Sequence, residues 1–576
     1  MKFLVIIASL LILNIGFAQS TETQLIADNT MLQQKADDDK TVMQKLLRNP
    51  NMPGAGEKIK AIAYKNPDLV YTYASSGSAL SKKIRNSDDP LVNTIGKMAT
   101  MKTGRLYFPF LDDLYRGAQT FESIEPALKD DTKYFKLLVK THINYANRVS
   151  NNEIPIGHKD LSKKLKQKAI EIYVNNINGL HNASDAVRFR KLQSLSPEEL
   201  YYVAVMGADE IYTSSYLGVY KRIFDKLKDK DAGDKLMKAV NYDHFKKWIK
   251  LAAGYNTLND FLGKMETDQS IALMKRFVNR LDETNSLEDA VDVADAFASI
   301  TDPTLQLLIL TEVQSNQEKA TSTRAKNIYN TLNTIFLSKD SANNIDIPAA
   351  LGINPVFYMP YNSLKDGDDR VVIEQFIYGD EIGPTDFAAF LATFRNSNWK
   401  IINKPEWVEI VSVKGNNVTI YANKPLNERK GLDAKAQANL NDYLYKNNIH
   451  PTIAIHRGHS YHVRSTIEQL PSSAKVVLLG SCGGYQNLDD VLKACPQAHI
   501  IATKQVGTAI ITQPLINHMA DKLREGKDLN WPSIWTDLDA KFKDKTSKDR
   551  FEDYVPPHKN LGAIFMIAYN KIEGRS

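Results

Sequence analysis

Two stretches decide the reading of this chain: Ile453-Ala454-Ile455-His456-Arg457-Gly458-His459-Ser460 and Lys475-Val476-Val477-Leu478-Leu479-Gly480-Ser481-Cys482-Gly483-Gly484. Each is a short apolar run that stops abruptly at glycine and polar residues. Such runs read as strands buried on both faces, the kind found in parallel sheets. Chemistry in such sheets sits just past the carboxyl ends of the strands. His459 and Cys482 therefore fall on the same edge.

Working outward, strands and helices alternate through the C-terminal part. Arg370–Tyr378 reads as a strand, Asp386–Phe394 as a helix, and Trp407–Val413 with Val418–Tyr421 as a hairpin around Lys414-Gly415-Asn416-Asn417. Leu432–Lys446, Val463–Leu470, Leu488–Ala494 and Pro514–Arg524 read as helices. Ile500–Thr503 and Leu561–Tyr569 read as strands. The pattern predicts a mainly parallel sheet with helices on both faces. Before residue 340 the periodicity is helical almost throughout. Ser196-Pro197-Glu198-Glu199 is a capping box with proline at the first helical position. Leu200, Val203 and Ala204 form a core stripe, as do Ile271, Met274, Val278 and Leu281, and Ala290, Val293, Ala294 and Phe297. Ser338–Asn354 is polar and then rich in Pro and Gly, which marks a boundary. The predicted organisation is a leader over 1–18, an all-α domain over 19–340, a linker over 341–369 and an α/β domain over 370–576.

At 576 residues the chain is too long for one ordinary domain, and 43% hydrophobic with 24% charged residues suits a globular core. The net charge of +6 is spread among interleaved acids and bases, which gives no support for a nucleic-acid surface. Met1-Lys2, the apolar run Phe3–Ile15 and Gly16-Phe17-Ala18 form a secretory leader with cleavage expected after Ala18. The leader implies an exported mature chain, periplasmic or extracellular, and no integral membrane segment is expected after cleavage. Only Cys482 and Cys495 are present. Cys482 ends a strand, and Cys495 ends the returning helix of about nine residues, ~13 Å away. A disulfide needs Cα atoms within about 7 Å, so the pair is expected unbonded with Cys495 in the core.

A thiol becomes a strong nucleophile only when deprotonated, and a neighbouring imidazole can take the proton. Glycines around the sulfur, Gly483 and Gly484, admit a substrate backbone and leave main-chain N–H groups for a developing oxyanion. The N-terminus of the helix starting near Leu488 is expected to favour the thiolate. His456 lies nearer the strand and is the alternative base. His456, His459 and His462 are spaced like zinc ligands, but no carboxylate motif completes the set, and neither metal nor cofactor is expected. Gly480-Ser481-Cys482-Gly483-Gly484-Tyr485-Gln486 also matches the elbow of glutamine amidotransferases. His518 and His558 lack the glutamate that family places two residues on.

A hydrophobic strand ending in Gly-His, followed by one ending in a small residue and Cys, resembles the caspase-like (clan CD) cysteine peptidases. Metacaspases, legumains, clostripain, gingipains and separase belong to that group. The resemblance covers about residues 370–525. It implies a caspase-like α/β domain, Cys482 as nucleophile and His459 as base. It further implies an oxyanion site at the Cys482 amide and an amide near Gly458, and a peptide or protein substrate. Acidic residues on this edge of the family line a pocket for a basic side chain, which makes Asp380 or Glu381 the expected selectors of Lys or Arg. Ser460 stands where the family has Gly after the His. That departure supports a second possibility, an inactive caspase-like binding protein.

If the leader is processed as read, the mature chain begins at Gln19. N-terminal sequencing of the exported protein checks this, and a chain still starting at Met1 would overturn it.

Overall fold

The computed structural model describes residues 38–575. The leader, residues 1–18, lies outside the described residues. The chain forms two compact units that divide between Ile172 and Tyr173.

The first unit is helical. Ala55–Lys65, Pro90–Thr100, Asp131–Ser150 and His158–Lys168 bury Ile59, Ile62, Leu91, Ile95, Phe135, Leu138, Leu161 and Leu165. Proline opens Pro90–Thr100, and the Asp89 carboxylate accepts from the Leu91 and Val92 amides. This cap satisfies donors that the helix itself cannot. Buried Asp112 accepts from Arg148 at 2.6 Å and from the Ile156 amide at 2.8 Å.

The second unit starts with further helices, among them Pro197–Met206, Thr213–Lys226, Phe245–Gly254 and Glu288–Ser299. The capping box at Ser196 and Glu199 forms as read. Leu200, Val203, Ala204, Met274, Val278, Ala290, Val293 and Phe297 are core, as their spacing implies, whereas Ile271 is half-buried. Helices give way to strands between Leu351 and Tyr358, inside the segment read as a linker. No helix among the described residues is long and apolar enough to cross a membrane.

The sheet has eight strands: β1 (Val371–Ile377), β2 (Trp399–Asn403), β3 (Trp407–Ser412), β4 (Val418–Asn423), β5 (Ile453–Arg457), β6 (Val476–Leu479), β7 (His499–Thr503) and β8 (Tyr554–Val555). Their order across the sheet is β8-β7-β6-β5-β1-β4-β3-β2. Five central strands are parallel: β4 with β1, β1 with β5, β5 with β6 and β6 with β7. The edges β2, β3 and β8 are antiparallel, so the sheet is mixed. One face is covered by α1 (Gly383–Thr393), α4 (Ala509–Arg524) and Trp531–Asp539. The other carries α2 (Leu432–Lys446), α3 (Leu488–Ala494) and α5 (Leu561–Ile572). Covering both faces explains why the parallel strands read as unbroken apolar runs.

One expectation is overturned. Leu561–Tyr569 is not a strand but part of the helix α5. Short apolar runs do not separate the two states by periodicity. Here Asn560 accepts from the Ala563 amide as a helix cap, and Leu561, Ile564, Phe565, Ala568 and Tyr569 line a helical face. The strands β2 and β8 were not foreseen.

β1 carries a buried carboxyl in mid-sheet. Glu374 lies between Tyr421 of β4 and Ala454 of β5, and its Oε1 has no hydrogen-bond partner. Burial pushes its pKa from 4.5 up to about 8. The folded chain thus keeps a proton that the unfolded chain releases above 4.5, so stability falls as pH rises from there through about 8. Each pH unit in that window is worth ~1.4 kcal/mol. Glu374→Gln is expected to remove this loss and to melt higher than wild type at pH 9. Thermal midpoints at pH 5 and pH 9 check it, and parallel changes in both proteins would contradict it.

Candidate active site

β5 and β6 are neighbours, paired in parallel with His456 opposite Leu479. The ladder runs one step past β6, where the Gly480 amide donates to the His456 carbonyl at 3.1 Å. A Cβ on Gly480 would lie 2.8 Å from that carbonyl oxygen, so glycine is what permits this approach. Gly458-His459 and Ser481-Cys482 then leave the sheet side by side on its carboxyl edge.

Arg457 fixes this edge from beneath. It is buried, donates to the Gly480 carbonyl at 2.7 Å and pairs with Asp386 of α1. Gly483 adopts a left-handed φ of 62°. Its amide donates to the Gln505 carbonyl at 2.8 Å, so this N–H, expected to be free for an oxyanion, is already engaged. At Gly458 the Tyr378 ring leaves no room for a side chain, with 2.7 Å to a Cβ.

Cys482 and Cys495 are both free thiols, and Cys495 packs in the core as expected. Cys482 opens into a cavity of about 840 Å³. Its walls include Tyr212, Thr213 and Tyr255 from the helical segment and Tyr461, Gln486 and Asn487 from the sheet edge. Burial pushes the Cys482 thiol up, and the Gly507 main chain, Arg457 and Arg550 offset only part of that rise. The expected help to the thiolate from the following helix therefore does not prevail. That helix has only seven residues and is preceded by a tight turn over Gly484–Asn487.

Among the described residues no hydrogen bond joins Cys482 Sγ to an imidazole. His459 Nε2 lies 3.1 Å from Glu381 Oε1, and its ring stacks on Tyr461 at 5.2 Å. Tyr461 in turn stacks on Tyr212 at 6.2 Å. His456 is fully buried, with Nδ1 2.7 Å from Thr466 Oγ1. Burial, with Arg457 and His462 nearby, pushes His456 down to about 3, which leaves it a poor base near neutrality. His462 stacks on Tyr378 at 3.9 Å and lies 3.5 Å from both Asp380 and Glu428. His456, His459 and His462 thus turn to different partners instead of converging on one point.

The two acids separate in role. Asp380 is buried, and its Oδ1 accepts from the Ile382 and Gly383 amides at 3.0 and 2.9 Å at the start of α1. Glu381 is 52% exposed at its side chain and contacts His459. Sequence reasoning missed Arg457, Gly507, His181 beside Glu381, and the helical wall of the cavity, including Tyr212 and Tyr255. Arg457 alone had a signal, its place at the end of the strand beside Gly458.

Burial by itself would raise the Asp380 carboxyl. The His462 contact, the Gly383 and Ile382 amides and the nearby His459 outweigh it and hold the carboxyl below its ordinary range. The resulting stabilisation is full above the unfolded carboxylate pKa and is lost as pH falls through the lower folded value. Asp380→Asn is expected to lower the melting midpoint at pH 7 and to lose little further on acidification to pH 3. An unchanged midpoint at pH 7 would return Asp380 to the list of substrate contacts.

No protein-family model, no curated protein and no solved structure matches this chain.

Proposed function

We propose that the chain is an exported cysteine hydrolase of caspase-like type, acting on peptide bonds with Cys482 as nucleophile and His459 as base. The observation that carries this reading is the parallel pairing of β5 with β6. It brings the two residues to one edge, where Cys482 faces a cavity large enough for a peptide segment. A second observation refines it. Glu381, first considered as a substrate contact, is bonded to Nε2 of the base. That leaves His459 Nδ1 to take the thiol proton, in the order carboxylate, imidazole, nucleophile. In such a chain the carboxylate orients the ring and stabilises the imidazolium.

The steps follow. His459 Nδ1 takes the proton from Cys482, and the thiolate forms a bond to the scissile carbonyl carbon. The carbonyl electron pair moves to oxygen and is held by main-chain N–H groups near Cys482. Collapse breaks the C–N bond, and His459 returns the proton to the leaving amine. Water, deprotonated by His459, then hydrolyses the thioester and restores the thiol. Among the described residues His459 and Cys482 are not hydrogen-bonded and His459 does not line the cavity, so this mechanism requires the imidazole to move to the thiol. Catalytic contacts of this kind commonly tighten only when substrate binds.

A second reading is a binding protein on the same fold, in which the cavity holds a peptide without cleaving it. The raised Cys482 thiol and the engaged Gly483 amide favour it.

A peptide-library cleavage assay on the mature protein separates the two. Cys482→Ala and His459→Ala should each abolish turnover, and the double variant should be no worse, because the two act as one unit. Glu381→Gln should lower kcat by on the order of 100-fold with KM little changed, since it orients the base without touching the substrate. Peptide binding with no cleavage, equal in wild type and Cys482→Ala, would establish the binding reading instead.

A further inference from the structure

His459 and Glu381 meet a third residue from a distant part of the sequence. His181 sits in the turn after the short helix Asn175–Gly179. Its Nδ1 lies 3.0 Å from the Asn178 carbonyl oxygen. A carbonyl only accepts, so Nδ1 carries a hydrogen, and Nε2 is the ring nitrogen left to face Glu381. That Nε2 is buried, has no hydrogen-bond partner among the described residues and lies 3.8 Å from Glu381 Oε1. A cation between Nε2 and the Glu381 carboxylate, either a proton or a metal ion, satisfies both atoms.

The ligand-type atoms of His181, Glu381 and His459 all lie within 4.8 Å of one another. Two ligands of a tetrahedral zinc ion, each at about 2.1 Å, are ~3.4 Å apart. The observed separations, 3.1 Å from His459 to Glu381 and 3.8 Å from His181 to Glu381, bracket that value. The Asn178 carbonyl behind His181 is the kind of outer partner that fixes a ligating imidazole in its tautomer. The three side chains are partly open to solvent, at 30%, 52% and 23% exposure, so an ion can enter and a water can fill a fourth position.

We infer that His181, Glu381 and His459 form a binding site for a divalent transition-metal ion of the zinc class. Two imidazoles and one carboxylate make a donor set that zinc takes with one position left open. The site binds through Nε2 of both histidines, and the His459 proton moves to Nδ1 or to solvent as the ion enters. The assignment stands without any activity at Cys482. One consequence rests on the proposed hydrolase: a filled site withdraws His459 and Glu381 from the thiol, so the ion switches the enzyme off.

Isothermal titration of tag-free protein with Zn²⁺ tests the site, in wild type and in Cys482→Ala. The second protein has no thiol at the cavity and no turnover, so metal binding is read apart from the hydrolase proposal. One ion per chain is expected in both, and His181→Ala and Glu381→Gln should each weaken binding on the order of 100-fold. Co²⁺ should give the strong visible bands of a tetrahedral site without a thiolate charge-transfer band. No uptake by wild type, binding unchanged in both His181→Ala and Glu381→Gln, binding lost in Cys482→Ala, or a thiolate band with Co²⁺ would each overturn the assignment.

Discussion

The site depends on one pairing, that of β5 with β6 in parallel register. Parallel neighbours send their chains off the sheet in the same direction, about 4.8 Å apart. Two segments 20 or so residues apart in sequence are thereby delivered to one place without any side chain reaching across the fold. The register is held past the strand end by the Gly480 amide on the His456 carbonyl and by Arg457 on the Gly480 carbonyl. Both bonds tolerate little change. A larger residue at Gly480 pushes on the backbone oxygen it must approach, and loss of Arg457 leaves Asp386 and that carbonyl without their shared donor.

A second set of contacts ties the preceding helices to the same edge. Asp295, on Glu288–Ser299, accepts from the Tyr485 hydroxyl at 2.6 Å and from the Gly562 amide at 3.0 Å. Asn256 donates to Asp553, and Gln505 donates to the Tyr255 carbonyl. Lys504 is buried against Ser299, and burial pushes it down to about 8. Polar groups placed so deep cost free energy unless paired, so they fix one arrangement rather than merely adding attraction. The cavity over Cys482 follows from that arrangement: one wall belongs to the sheet edge and the other to residues 208–213 and Tyr255.

How much of this was legible in the sequence follows from the range over which each force acts. Caps, core stripes and parallel strands are local, and Ser196, Ala290–Phe297 and Val476–Leu479 read correctly from spacing alone. Leu561–Tyr569 did not, because an apolar run of that length fits either state until its neighbours are known, and the Asn560 cap decided for helix. The positions of His459 and Cys482 followed from strand ends. Their partners did not: whether an imidazole turns to a thiol, to Glu381 or to Thr466 depends on residues far away in the chain. His181 is more than 270 residues from His459 and has no neighbouring motif to announce it. The glycines around Cys482 were read as free donors, yet Gly483 is held by Gln505, which lies beyond the following strand.

The protonated state of Cys482 bears on how long the residue survives. Oxidants and disulfides react with the thiolate, and a half-buried thiol whose pKa is raised by its surroundings offers little of it near neutrality. Cys495, the only other sulfhydryl, is enclosed in the core and raised to about 11. In oxidising surroundings both sulfurs are therefore slow to form sulfenic acid or to exchange with other thiols. The chain can keep a reduced cysteine at an open cavity without a partner to protect it.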